Sequence, residues 1–458
     1  MARLNKEGAL ASSFLFIRFE WLVLLGLSLS FLLMVQPFFL LGGLHPFDHQ
    51  RSIEIVFLSI SFLFLVPFIS LRKVPFLFWV MGALSMLSAF LGSAGVAGWA
   101  QETRFLLWAV LLLIFPFSWA FVAPQNKKII SVIFFVGLSL YFIYVIFGTY
   151  LLLGQGVVDP AFVISGFANI NHAAGFLVLG FFMLPGIESC LSDYRRVVLP
   201  FSTLVGGGLF LFVLIIMARG SFLSGLAVAM FLVFFCKGRA RKKYSMRLLM
   251  YAAIGTALYL VFYFDSSFLR VEENYIASLY RDTGRIALFR EGIQGWFESP
   301  LLGNGPLSFS QLSSVPEAHP HNILIASLYE YGALVTIIAV YLLIKAATVY
   351  LRAGYVADQS MLHIVGGSTI VCFLSYAQVS GLTMIAPSML LLALAVGFAF
   401  ENVVSERPRP DFLTNFSGKR AVGAFMIVLA FFSSSIFYYQ VSTENISGAP
   451  RFWLQGKL

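Results

Sequence analysis

The stretch Glu317-Ala318-His319-Pro320-His321-Asn322 runs directly into the apolar segment Ile323 to Tyr331, followed by Gly332. From Asn322 to about residue 349 the chain stays apolar, long enough to cross a bilayer as one helix. The polar stretch therefore lies at the mouth of a membrane helix. It brings two imidazoles, which exchange protons near neutral pH. A helix N-terminus also offers unpaired N–H groups and partial positive charge, which favour anions. A proton acceptor beside an anion site points to chemistry at a membrane face.

Similar runs fill the chain. Of its 458 residues 59% are hydrophobic and only 11% charged, and mean hydropathy is +0.89. This excludes a soluble globular domain. The runs are continuous rather than alternating, which excludes a β-barrel. Spans are read at 21–41, 52–71, 74–92, 104–123, 129–153, 171–190, 197–217, 221–236, 248–264, 322–349, 361–379, 383–400 and 421–440. The expectation is an all-α polytopic membrane protein of about 12–13 transmembrane helices. It has no internal repeat or low-complexity tract, so 1–458 reads as a single integral membrane domain. The run 21–41 is too long for a signal-peptide core and lacks a small-residue cleavage site, so an uncleaved anchor is expected. Cys190, Cys236 and Cys372 are too few and too scattered to suggest a disulfide or a zinc site.

The net charge of +9 matters less than its placement. Most Lys and Arg fall in one set of alternate loops: Arg72-Lys73, Lys127-Lys128, Arg195-Arg196, Lys237 to Arg247, and Arg407 to Arg420. Basic loops stay in the cytoplasm, which orients the N-terminus inside and implies no nucleic acid. The outer face keeps Arg51, Arg104, Arg219, Arg270, Arg281, Arg285, Arg290, Arg451 and Lys457.

The long outer loop covers residues 265–321. Within 284–297, Ile286, Phe289, Ile293, Trp296 and Phe297 share one helical face, as in an amphipathic helix on the interface or on the bundle. The outer cations of this loop are all Arg, the better fork for phosphate oxygens. Arg281 and Arg285 would share a helix face. These side chains either bind an anion, or snorkel and pair with Asp265, Glu272, Glu273 and Asp282. Arg219 occupies the minimal turn Ala218-Arg219-Gly220 with no acidic neighbour, which favours function. Asn169, Asn171 and His172 either bind sugar or phosphate, or cap a span. Glu330 lies within the helix that His321 opens and is read as structurally paired.

Four stretches resemble the O-antigen ligase and polymerase superfamily of bacterial membrane glycosyltransferases. They are His321-Asn322 followed after nine residues by Gly332; Arg285 with Trp296 and Ser299-Pro300-Leu301-Leu302-Gly303-Asn304-Gly305-Pro306; Ala218-Arg219-Gly220, with Ala where the family has Ser; and Phe167-Ala168-Asn169-Ile170-Asn171-His172. They occur in the family's order and cover roughly residues 165–335.

The resemblance implies a helical bundle of GT-C type in the bacterial inner membrane, with its active site facing the periplasm. It implies transfer of a glycan from undecaprenyl pyrophosphate, without a cofactor or required metal. The acceptor would be lipid A–core oligosaccharide for a ligase, which the His321 motif favours, or another lipid-linked repeat unit for a polymerase. On this reading His321 is the general base. Arg219 and Arg285 hold the pyrophosphate, helped by Arg281 and Arg290. His319, Asn322, Asn169 and Asn171 contribute to substrate binding. Pro320 is expected to turn the two imidazoles apart, with His319 the competing base. A flippase for lipid-linked sugars is the rival of another class, but its polar groups should gather near the midplane rather than at one face.

Overall fold

A computed structural model describes residues 23–35, 46–65, 74–92, 95–153, 167, 170–216, 218–264, 285–312, 319–356, 359–405 and 418–442. Among these residues nearly all are helical and none is in a strand. The helices are α1 (Val23–Val35), α2 (Pro46–Leu65), α3 (Phe76–Leu91), α4 (Gly95–Phe121), α5 (Pro124–Leu153) and α6 (Ile170–Cys190). They continue as α7 (Arg195–Ile216), α8 (Arg219–Phe235), α9 (Gly238–Phe264), α10 (Arg285–Glu298) and α11 (Ser308–Leu312). The last are α12 (Ile323–Val356), α13 (Met361–Tyr376), α14 (Ala386–Ser405) and α15 (Gly418–Ser442).

Seven of the described helices are long and apolar enough to cross a membrane, and α1, α3, α8 and α13 are shorter apolar helices. The chain is thus a helical, multi-pass membrane protein. Each apolar run read from the sequence contains a helix. The basic segment read as a loop from Lys237 to Arg247 is instead helical from Gly238 onward, as the first turns of α9. Its Lys and Arg residues are good helix formers, so nothing local stops the helix there. The last run, 421–440, lies within α15, which packs on α2 and α4.

The centre of the bundle is formed by α6, α13 and α14, and small residues let these helices approach closely. A side chain at Gly366 of α13 would meet the Ala399 backbone of α14 at 2.4 Å. The pair α7 and α9 closes in the same way, with Gly255 against Gly207 O. Helices in lipid gain association from such contacts, because apolar burial alone does not favour helix over lipid.

Glu54 in α2 is fully buried. It is ion-paired with Arg51 and with Arg104 of α4, the latter at 3.0 Å, and accepts Trp108 Nε1–H at 2.6 Å. The two arginines reach on to the turn between α13 and α14. Arg104 donates to Thr383 O at 2.9 Å and Arg51 to Met384 O at 3.0 Å. Two cations read from the sequence as outer-face charge thus form a buried staple. The turn they hold receives α12 on its other side: Ile323 N–H donates to Ala377 O, and Asn322 Nδ2–H to Gln378 O.

Helix α12 is broken at Gly332, where φ is 73° and ψ −179°. The segment 299–307 fills the break with its own backbone. Ala333 N–H donates to Pro300 O at 2.9 Å and Leu334 N–H to Leu301 O at 3.3 Å. In return, Asn304 and Gly305 N–H donate to Tyr329 O and Glu330 O at 2.9 and 2.8 Å. A glycine is needed on both sides. A Cβ on Gly332 would lie 2.3 Å from Leu301 O, and one on Gly303, itself at φ +71°, 2.4 Å from the Glu330 carbonyl carbon. The hydroxyls of Ser327 and Thr336 bridge the break at 2.8 Å.

Gly332→Ala is therefore expected to lose at least about 1–3 kcal/mol through the left-handed φ alone. A thermal melt of the purified protein in detergent checks this, and an unchanged midpoint would mean that the loop is not seated in the break.

Candidate active site

The docked segment sets α10 beside the start of α12. Asn304 Nδ2–H donates to Gly295 O of α10 and Tyr329 O of α12, and Trp296 Nε1–H to Pro300 O. The contact face of α10 is Leu288, Gly292 and Gly295. A Cβ on Gly292 would meet Ile325, and one on Gly295 would meet Tyr329. Ile286, Ile293 and Phe297, read as the apolar face, are instead exposed. The helix thus lies on the bundle by its small residues and turns large apolar groups outward, where a lipid interface would cover them.

This seating puts Arg285, the first residue of α10, near His321. The His321 ring is held down to about pKa 4 by burial and by the positive charge of Arg285. The Arg285 guanidinium is itself pushed down by burial; Tyr376 opposes that shift and Arg219 adds to it. Arg219 begins α8 and is exposed, and its neighbour Gly220 packs against Tyr376 and Val379 at the end of α13. Tyr376 also donates to Asn171 O at 2.7 Å. One end of the bundle thus gathers Arg219, Arg285, Asn171 and His321 from α8, α10, α6 and the entry to α12.

His321 has φ 54°, a left-handed conformation that is unusual for a side chain other than glycine. The bend turns its ring back toward His319 rather than away from it. The ring centroids are 4.2 Å apart, so the expectation that Pro320 separates the imidazoles fails. His172 stacks behind His319 at 6.5 Å. The His321 N–H donates to His319 Nδ1 at 3.1 Å, which occupies the lone pair that His319 would need as a base. His319 is also buried, and burial with its two histidine neighbours holds it well below the usual imidazole range. His321 is half-buried and so the more accessible of the two rings. The geometry thus favours His321 over His319 as a proton acceptor.

Asn322 has a structural role. Its Oδ1 accepts from Leu324 N–H and Ile325 N–H, both at 2.9 Å, which caps α12. Glu330 is paired as read: its carboxyl accepts Leu307 N–H at 3.1 Å. Arg290 is exposed and lies about 140° around α10 from Arg285, away from the contact face. Arg281 and Asn169 lie outside the described residues. Sequence reasoning missed the roles of Tyr376 and of the turn after it. Tyr376 ends an ordinary apolar run, and no local signal marks it. No protein-family model matches the chain, and no curated protein matches it at a significant level.

The position of Arg285 has a measurable consequence. Arg285→Gln removes one of the two causes that lower His321, so its titration should move up from about 4 toward 6.5. Histidine-labelled NMR in nanodiscs reads this directly, and an unmoved His321 would separate the two groups. The unfolded ring takes up its proton first on acidification, so His321 favours the folded state above pH 6.5 and that contribution is lost as pH falls toward 4.

Proposed function

We propose that the chain is a glycosyltransferase of the bacterial inner membrane, acting at its periplasmic face. It moves a glycan from undecaprenyl pyrophosphate to a sugar hydroxyl of lipid A–core oligosaccharide. The observation that carries this reading is a neutral imidazole, His321, set beside Arg285 and Arg219 at the mouth of a membrane helix. The charge distribution of the loops supports an outward-facing site, because the basic loops mark the opposite face as cytoplasmic. The four sequence stretches supply the reaction class, and each contributes a residue to this end of the bundle.

The chemistry follows from the residues. The acceptor hydroxyl is too weak an acid to attack unaided, and His321 takes its proton as the oxygen bonds to the anomeric carbon. The bond from that carbon to the pyrophosphate oxygen breaks, and the electron pair leaves with undecaprenyl pyrophosphate. Arg285 and Arg219 stabilise the charge that gathers there. Donor binding also strengthens the base. Anionic phosphates beside Arg285 offset the positive charge that lowers His321, so the ring binds a proton more readily once donor is in place. A single displacement of this kind inverts the anomeric carbon.

His321→Ala should lower kcat by at least about 100-fold, the usual contribution of a positioned base, with the donor KM little changed. Arg219→Ala should lower kcat/KM for the donor by roughly 100-fold or more. The assay is glycan transfer in proteoliposomes with lipid-linked donor in the outer leaflet and lipid A–core as acceptor. Wild-type turnover by His321→Ala rules out the base assignment. Transfer to a lipid-linked repeat unit in place of lipid A–core would make the protein a polymerase of the same kind.

A further inference from the structure

Six basic residues lie between Lys237 and Arg247, where α8 turns into α9. Helix α8 begins at Arg219, beside the candidate active site, and its 17 residues carry the chain about 25 Å away before that turn. The cluster therefore sits at the opposite end of the bundle, on the face that the basic loops mark as cytoplasmic. Because the segment is helical from Gly238 onward, its cations have fixed directions, and they divide into two sets. Arg241 donates to Cys236 O at 3.3 Å, and Arg247 is ion-paired with Glu188 at 3.4 Å; both are half-buried. Arg239, Lys242 and Lys243 are exposed.

Helical spacing puts the exposed set on one face. At 3.6 residues per turn, Arg239, Lys242, Lys243, Met246 and Leu249 fall within an arc of about 120°. Met246 and Leu249 are themselves exposed. Tyr244 and Tyr251 lie on the other side, where α9 packs on the bundle. The stripe is thus cationic in its first turns and apolar one turn further on. Lys243 precedes Met246 by three residues, about 4.5 Å along the axis. The polar layer on each side of a bilayer is roughly 5–7 Å deep. The cations therefore stand at the depth of lipid phosphates when Met246 and Leu249 reach the acyl chains. The described carboxylates at this end are already engaged: Glu188 with Arg247, Asp193 with Lys128, and Glu401 with Lys127. Arg239, Lys242 and Lys243 have no acidic partner among the described residues.

We infer that this stripe is a binding site for an anionic phospholipid of the cytoplasmic leaflet. Arg239, Lys242 and Lys243 hold its phosphate, and Met246 and Leu249 lie along its acyl chains. The lipid supplies the negative charge that the described side chains do not, and a phosphate suits both the arginine fork and the lysine point charges. A soluble phosphate would use the cations but not the apolar turn beside them, whereas a lipid uses both. A zwitterionic lipid is disfavoured, because its own cation competes with the three on α9.

The test is native mass spectrometry of the full chain released from phosphatidylcholine nanodiscs that carry a graded fraction of phosphatidylglycerol. Wild type should retain phosphatidylglycerol in preference to phosphatidylcholine. Each cation near a membrane surface strengthens anionic-lipid binding about fivefold, so Arg239→Gln, Lys242→Gln and Lys243→Gln together should weaken retention roughly 100-fold. A second triple variant, Lys345→Gln, Arg352→Gln and Lys419→Gln, removes as many exposed cations elsewhere on the same face and should retain the lipid as wild type does. If the first triple variant is not recovered folded, its three single changes carry the test, at about fivefold each. Equal retention of both lipids by wild type, undiminished retention in the first variant, or equal loss in both variants overturns the site. Displacement of the lipid by glycerol 3-phosphate also overturns it, because the stripe would then be a site for soluble phosphate.

Discussion

Backbone hydrogen bonds between the segment 299–307 and the broken turn of α12 hold the candidate site together. A helix broken within an apolar bundle exposes N–H and C=O groups that lipid cannot satisfy. Here the peptide groups of Pro300, Leu301, Asn304 and Gly305 satisfy them, and only glycine at 332 and 303 leaves room for that approach. The result is more than a repaired helix. The same segment is continuous with α10, so Arg285 is fixed relative to His321 through about one turn of backbone pairing. From the other side, the Glu54 staple holds the turn on which Asn322 and His319 rest. Position is thus set by backbone and buried ion pairs, which are stiffer than the long side chains to which the proposed chemistry is assigned.

The electrostatics follow from that placement. A half-buried imidazole beside Arg285 stays neutral, which a base requires, but it is also a weak base until anionic charge arrives. In the proposed reaction, proton acceptance is thereby linked to donor binding without a moving part. The strained φ of His321 belongs to the same logic. It brings the ring against His319 and offers a backbone N–H to His319 Nδ1, which fixes the His319 ring in place.

The helices were legible in the sequence because each is a long apolar run, and a membrane admits few other solutions for such a run. The amphipathic pattern of α10 located that helix but left open whether its apolar face meets the bundle or the interface, and the exposed Ile286, Ile293 and Phe297 fit the interface. Hydrophobic periodicity marks the side that avoids water, which in a membrane protein can be lipid, whereas the packed side here is glycine. Gly332 was visible as a motif position, yet its reason, a helix break filled by residues about 30 positions earlier, needs three-dimensional pairing. Arg51 and Arg104 read as surface charge because nothing local shows that Glu54 lies between them.

The most direct test of the central claim is the anomeric configuration of the linkage that the purified protein makes, read by NMR coupling constants against that of the donor. Inversion is the result expected of a single attack with His321 as base and the pyrophosphate leaving between Arg219 and Arg285. Retention would require a covalent intermediate or a second displacement, and would contradict the one-step chemistry assigned to this site.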